Sequence, residues 1–93
     1  MPGTLYVVAT PIGNLEDVTE RARTVLGRVR LVLAEDTRRV GKLLSALGLS
    51  TRVESYHGDT DPAKRARLVR KIAEGTEMAL ASDAGTPVVA DPG

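Results

Sequence analysis

Four short segments hold most of the residues able to do chemistry: Thr10-Pro11-Ile12-Gly13-Asn14, Glu35-Asp36-Thr37-Arg38-Arg39, Tyr56-His57-Gly58-Asp59 and Ser82-Asp83-Ala84-Gly85-Thr86-Pro87. In the last, Gly85 allows positive φ and close approach of backbone to a bound molecule, and Pro87 fixes the exit direction. Asp83 can contact a ligand or simply bond its own downstream backbone. Pro11 to Asn14 has neither the three glycines of a dinucleotide fingerprint nor the Lys-Ser/Thr ending of a P-loop, so NAD and ATP are disfavoured. Its backbone amides can still line an adenosine or a carboxylate, the plainer account being a structural turn. Glu35, Asp36 and Arg38 suit a ribose hydroxyl, a phosphate or a partner domain. They equally suit a helix start, with Asp36 or Thr37 as cap and Glu35 favoured by the helix dipole. His57, the one histidine, can accept a proton or stack on a base, or sit as a hydrogen-bonded neighbour of Tyr56.

The elements that must position these loops follow from periodicity. Leu5 to Ala9 is a continuous apolar run. Asp17, with Glu20 three residues on, reads as an N-cap; Val18, Ala22, Val25 and Leu26 then share one helical face, which Gly27 closes. Val29 to Ala34 is a second strand. From Thr37 a helix places Val40, Leu43, Leu44 and Leu47 at i, i+3, i+4 and i+7, with Gly48 as its stop. Arg52 to Ser55 is a third strand, Pro62 to Glu74 a helix capped by Asp61 and ended by Gly75, and Glu77 to Ser82 a fourth strand. This alternation predicts an α/β fold, a doubly wound parallel sheet with crossover helices. Every strand-to-helix loop then emerges at the carboxyl edge, where open α/β sheets bind ligands. Asp91-Pro92 reads as an N-cap and first-turn proline, so a helix is announced at the last residues and the expectation is an amino-terminal piece of a longer protein.

Composition narrows the classes. The 93 residues carry 13 basic and 12 acidic side chains, a formal charge of +1, and are 42% apolar. A chain of this size buries only roughly 60 to 65% of its unfolded surface, a small gain without Trp, Phe or a disulfide, so partner domains or a second subunit are expected to help. Zero cysteines exclude a disulfide framework, a thiolate metal site and a cysteine nucleophile, and one histidine builds no metal cluster. No apolar stretch nears the roughly 20 residues that span a bilayer, and Met1-Pro2-Gly3 leads into a strand without a basic leader. The expectation is a cytoplasmic protein with no membrane segment. For nucleic acid, distribution of charge counts more than its sum. Lys64, Arg67, Arg70 and Lys71 form a stripe on the third helix that is either a phosphate track or the solvated face of an amphipathic helix. Arg38, Arg39 and Lys42 lie nearer the crevice. No aromatic platform for stacking single strands accompanies them, Tyr6 and Tyr56 being the only aromatics.

Leu5 to Leu15, Glu35-Asp36-Thr37-Arg38, Ser55-Tyr56-His57 and Ser82 to Gly93, in this order and spacing, resemble one family over essentially the whole chain. It is that of the bacterial small-subunit ribosomal RNA (cytidine-2'-O)-methyltransferases of the tetrapyrrole methylase superfamily. Ala90 stands where a small polar residue is the family's pattern. The resemblance implies an amino-terminal tetrapyrrole-methylase-like domain over 1–93, with a second α/β domain absent and the S-adenosylmethionine pocket between the two. It implies cofactor lining by Pro11, Ile12, Gly13, Asn14, Asp83, Ala84, Gly85, Thr86 and Pro87. Substrate contacts would fall to Glu35, Asp36, Thr37, Arg38, Arg39 and His57, with no catalytic residue assigned and no metal. The implied activity is methyl transfer to a ribose hydroxyl in ribosomal RNA processing, with ribosomal RNA or the small ribosomal subunit as partner, a homodimer as a further expectation, and the 93 residues inactive alone. Two alternatives stay open: a porphyrinoid C-methyltransferase, and a non-catalytic α/β module that binds a ligand or a partner.

Overall fold

The structure, a computed structural model, describes residues 2–10 and 18–83, Asp83 by its backbone only. Pro11 to Asn14, the Asp17 cap, Ala84 to Pro87 and Asp91-Pro92 lie outside the described residues. The elements run β1 (Leu5–Thr10), α1 (Glu20–Arg28), β2 (Leu31–Ala34), α2 (Thr37–Ala46), β3 (Arg52–Ser55), α3 (Pro62–Ala73) and β4 (Met78–Asp83). All four strands pair in parallel in the order β1-β4-β2-β3. Chain direction across the sheet reverses at β3. With right-handed crossovers that reversal puts α1 and α2 on one face and α3 on the other, and the core divides accordingly. Val25 and Leu26 of α1 and Val40 and Leu44 of α2 pack on Val8, Val32, Ala34 and Ala79, whereas Leu68 and Ile72 of α3 pack on Leu31, Leu33 and Met78. β2 is therefore buried at every residue, which is why it reads as an unbroken apolar run.

Helix ends differ from the sequence expectation at both ends of α1, where Thr19, not Asp17, is the N-cap and Gly27 is not the stop. α1 is capped by Thr19, whose Oγ1 accepts from Ala22 N–H at 3.0 Å. It runs through Gly27 to Arg28, with Val29 as its C-cap, so Gly27 does not close it and β2 starts at Leu31, not Val29. The reason is packing: a Cβ on Gly27 would stand 3.1 Å from Leu49 Cδ2, so this glycine serves the approach of the α2–β3 connection. Thr51 Oγ1 then donates to the Leu26 carbonyl at 2.7 Å, satisfying the last turn. The other two helices end as read. Gly48 (φ 76) and Gly75 (φ 110) are left-handed, and the pairs Gly48 N–H to Ser45 O with Leu49 N–H to Leu44 O, and Gly75 N–H to Ile72 O with Thr76 N–H to Lys71 O, are Schellman closures. Gly3 docks on the second of these: its N–H donates to Ile72 O at 2.6 Å, and a Cβ there would meet Thr76 O at 2.1 Å.

Candidate active-site cleft at the carboxyl edge

Neighbouring strands β2 and β3 send their loops to helices on opposite faces, and the sheet opens between those loops as a topological switch point. A cleft of about 600 Å³ occupies it, with Glu35 and Asp36 on one wall, Tyr56, His57 and Arg65 on the other, and Ser82 at its floor on β4. That volume is within the usual range for small-molecule sites, roughly 300 to 1,000 Å³.

Each wall is built by ordinary helix-start chemistry. Asp36 is the N-cap of α2, its Oδ1 accepting from Arg39 N–H at 3.0 Å; of the two caps read from sequence, Asp36 is the one used. Glu35, just ahead of it, is exposed with its carboxylate beside the cleft. On the far wall Tyr56 N–H donates to Ala34 O at 2.9 Å, prolonging the β2–β3 ladder into the loop. His57 is then held three ways. Its N–H donates to Thr60 Oγ1 at 2.8 Å, its carbonyl accepts from Thr60 N–H, and its Nδ1 accepts from Asp59 N–H at 3.1 Å. An Nδ1 used as acceptor leaves the neutral ring's proton on Nε2, a donor on a residue that lines the cleft.

Glu35, Asp36 and His57 thus come together as the sequence suggested. Thr37, Arg38 and Arg39 instead lie along the first turn of α2, outside the lining, Thr37 and Arg38 exposed. The α3 stripe splits: Lys64 Nζ donates to Ser55 O at 2.7 Å, and Arg67 donates to Glu54 at 3.2 Å. Two of its four cations therefore brace β3 instead of lying open as a phosphate track. Arg65 is not marked by the sequence pattern because on α3 it falls among the apolar positions Leu68, Val69 and Ile72, away from the basic stripe. The signal available was its place one turn into α3, where helical side chains lean back over the preceding turn, here the loop.

The two segments assigned to cofactor leave from one point. Thr10 and Asp83 are register partners at the ends of β1 and β4, and the buried Thr10 hydroxyl donates to Ser82 O at 3.0 Å. Pro11 and Ala84 follow directly from this tied pair. Among the described residues no group of three or more His, Asp or Glu side chains is placed to hold a metal ion, and no helix is long and apolar enough to cross a membrane.

A parallel α/β sheet with a crevice at its carboxyl edge defines the architecture, and sequence comparison supplies the family: the chain belongs to the tetrapyrrole (corrin/porphyrin) methylases, whose family profile matches residues 4–93. More particularly, it is similar to the ribosomal RNA small subunit methyltransferase I of Escherichia coli O157:H7, with 50% identity over 91 residues, 98% of this chain and 32% of that protein. The protein of that name from Micromonospora olivasterospora is also 50% identical over 91 residues, 98% of this chain and 29% of its own length. For that of Pasteurella multocida (strain Pm70) the figures are 47% over 93 residues, 100% of this chain and 33% of the relative. The chain spans about a third of the length of these relatives.

Proposed function

We propose that this chain is the amino-terminal domain of an S-adenosylmethionine-dependent methyltransferase that modifies a cytidine ribose 2'-hydroxyl of small-subunit ribosomal RNA. The observation that carries the reading is identity near one half, maintained over essentially all of the chain, to relatives named for methylation of that RNA. What supports it in the fold is that β1 and β4 end side by side at Thr10 and Asp83, next to the cleft.

The cofactor supplies an electrophilic methyl on a sulfonium. Bound there, it would donate that methyl to the ribose oxygen with loss of the sulfide, the hydroxyl proton passing to solvent or a base. Such an in-line displacement asks the protein chiefly for positioning. Backbone groups of Pro11 to Asn14 and Asp83 to Pro87 would hold the cofactor's adenosine and amino-acid ends, a fit argued from their residue types, since glycines such as Gly13 and Gly85 allow amides to approach a flat, hydrogen-bonding ligand. Glu35 accepts from a ribose hydroxyl and His57 donates through Nε2. Asp36 sets the wall by capping α2, and Arg38 and Arg39 guide RNA from the rim. A carboxy-terminal domain closes the pocket, the protein works in the cytoplasm where ribosomal subunits are found, and it pairs as a homodimer. The half-buried Leu5, Val7 and Leu80 support this reading, because they give a second domain or subunit apolar surface to cover.

The test is transfer of labelled methyl from S-adenosylmethionine to unmodified small-subunit ribosomal RNA by a full-length protein bearing this domain. Label should enter RNA and make one internucleotide bond resistant to alkali, as 2'-O-methylation does. Label in a porphyrinoid instead, or no transfer at all, would overturn the proposal.

A further inference from the structure

Among the described residues lining the carboxyl-edge cleft, Arg65 is the one Lys or Arg. Its guanidinium is fixed twice, and by uncharged groups both times. Nη2 donates to the Gly58 carbonyl at 3.3 Å, and Cζ lies 5.9 Å from the centroid of the Tyr56 ring. Its helix neighbours Lys64 and Arg67 are drawn to Glu54 on β3, at 3.8 and 3.2 Å, whereas Arg65 joins no ion pair among the described residues. An exposed guanidinium that contacts only a ring face and a carbonyl is not neutralised by a carboxylate and retains further N–H donors, the groups that suit phosphate. The opposite wall differs. Glu35 is an acceptor there, so a ligand that is anionic throughout is disfavoured, while His57 stands on the same wall as Arg65. The cleft asks for a molecule with a phosphate toward α3 and hydroxyls toward α2, which describes one nucleotide of an RNA strand.

We infer that Arg65, beside the Tyr56 ring, is the residue that holds an RNA phosphate in this cleft. The inference rests on the reading of the domain as part of a ribosomal RNA methyltransferase. Arg65 is a substrate-positioning residue, and Tyr56 acts through it by its cation–π contact.

The experiment compares the full-length protein with its Arg65→Ala and Arg65→Lys variants. Binding of an unmodified small-subunit ribosomal RNA transcript is followed as salt is raised, and binding of S-adenosylhomocysteine is followed by calorimetry. Arg65→Ala should weaken RNA binding about tenfold, the worth of a charged hydrogen bond, and reduce the slope of log K against log salt by roughly one. Arg65→Lys should keep the slope and recover only part of the affinity, since lysine restores the charge without the planar fork of donors. Neither should alter the affinity for S-adenosylhomocysteine. An Arg65→Ala protein with the wild-type RNA affinity and slope would overturn the inference and leave the methyltransferase reading intact. Loss of S-adenosylhomocysteine affinity with RNA binding retained would also overturn it, by placing Arg65 on the cofactor side. A wild-type protein without salt-dependent RNA binding would sink both.

Discussion

Asp36 holds the first turn of α2 through its bond to Arg39 N–H and at the same time faces the cleft, so its two roles must be separated. Asp36→Ala should cost about 1 kcal/mol of stability, the usual worth of an N-cap. Asp36→Ser should recover most of that, because serine caps nearly as well. Urea unfolding of the two variants checks this; equal losses would mean that the carboxylate charge, not the cap, matters to the fold. Residues of the candidate cleft were legible in the sequence to the extent that local chemistry marks them. Glu35, Asp36 and His57 stood out as polar groups directly after apolar runs, and they do line one cleft. Arg65 did not stand out, because its position on α3 acquires meaning only when the β3–α3 loop folds back beneath it. Likewise Lys64 and Arg67 looked like part of a solvent-facing stripe until β3 placed Glu54 within their reach, a contact across ten or more residues that no helical period encodes.

At the scale of elements, glycine positions give predictions of opposite sign. Gly3→Ala would force a Cβ to within 2.1 Å of the Thr76 carbonyl, which the turn can relieve only by shifting backbone. A loss of about 1–3 kcal/mol is expected, as for other overpacked sites. Gly41, inside α2 with nothing within 4 Å of a Cβ, should behave oppositely, alanine there gaining about 0.5–1 kcal/mol by helix propensity. Denaturant midpoints at unchanged m-value measure both, and a stable Gly3→Ala variant would show that the start of β1 is not anchored on the end of α3. The seven elements were readable because period and punctuation agreed: β2 is apolar at every position, and Gly48 and Gly75 adopt the left-handed conformation that ends a helix. The exception was Gly27. A glycine after an amphipathic run resembles a stop, but here it is a packing notch for Leu49, and tertiary contact overrides the local signal.

For the molecule as a whole, the sheet order β1-β4-β2-β3 is what links fold to function. It sets β4 between β1 and β2, so the loops after β1 and β4 leave from paired residues Thr10 and Asp83, next to the cleft between the loops after β2 and β3. Parallel strands and their crossovers were legible in the sequence. The order was not, because strands of similar apolar character compete for the central positions and only packing of three helices on two faces decides among them. The central claim is that this carboxyl edge is a cofactor half-site, and the most direct measurement is a titration of the isotopically labelled 93-residue chain with S-adenosylhomocysteine, followed by backbone amide shifts. Shifts concentrated at Thr10 to Asn14 and Ser82 to Thr86, saturating in the millimolar range, are predicted. Shifts confined to the opposite sheet edge around Arg30 and Gly75, or none at millimolar ligand in a folded sample, would contradict it.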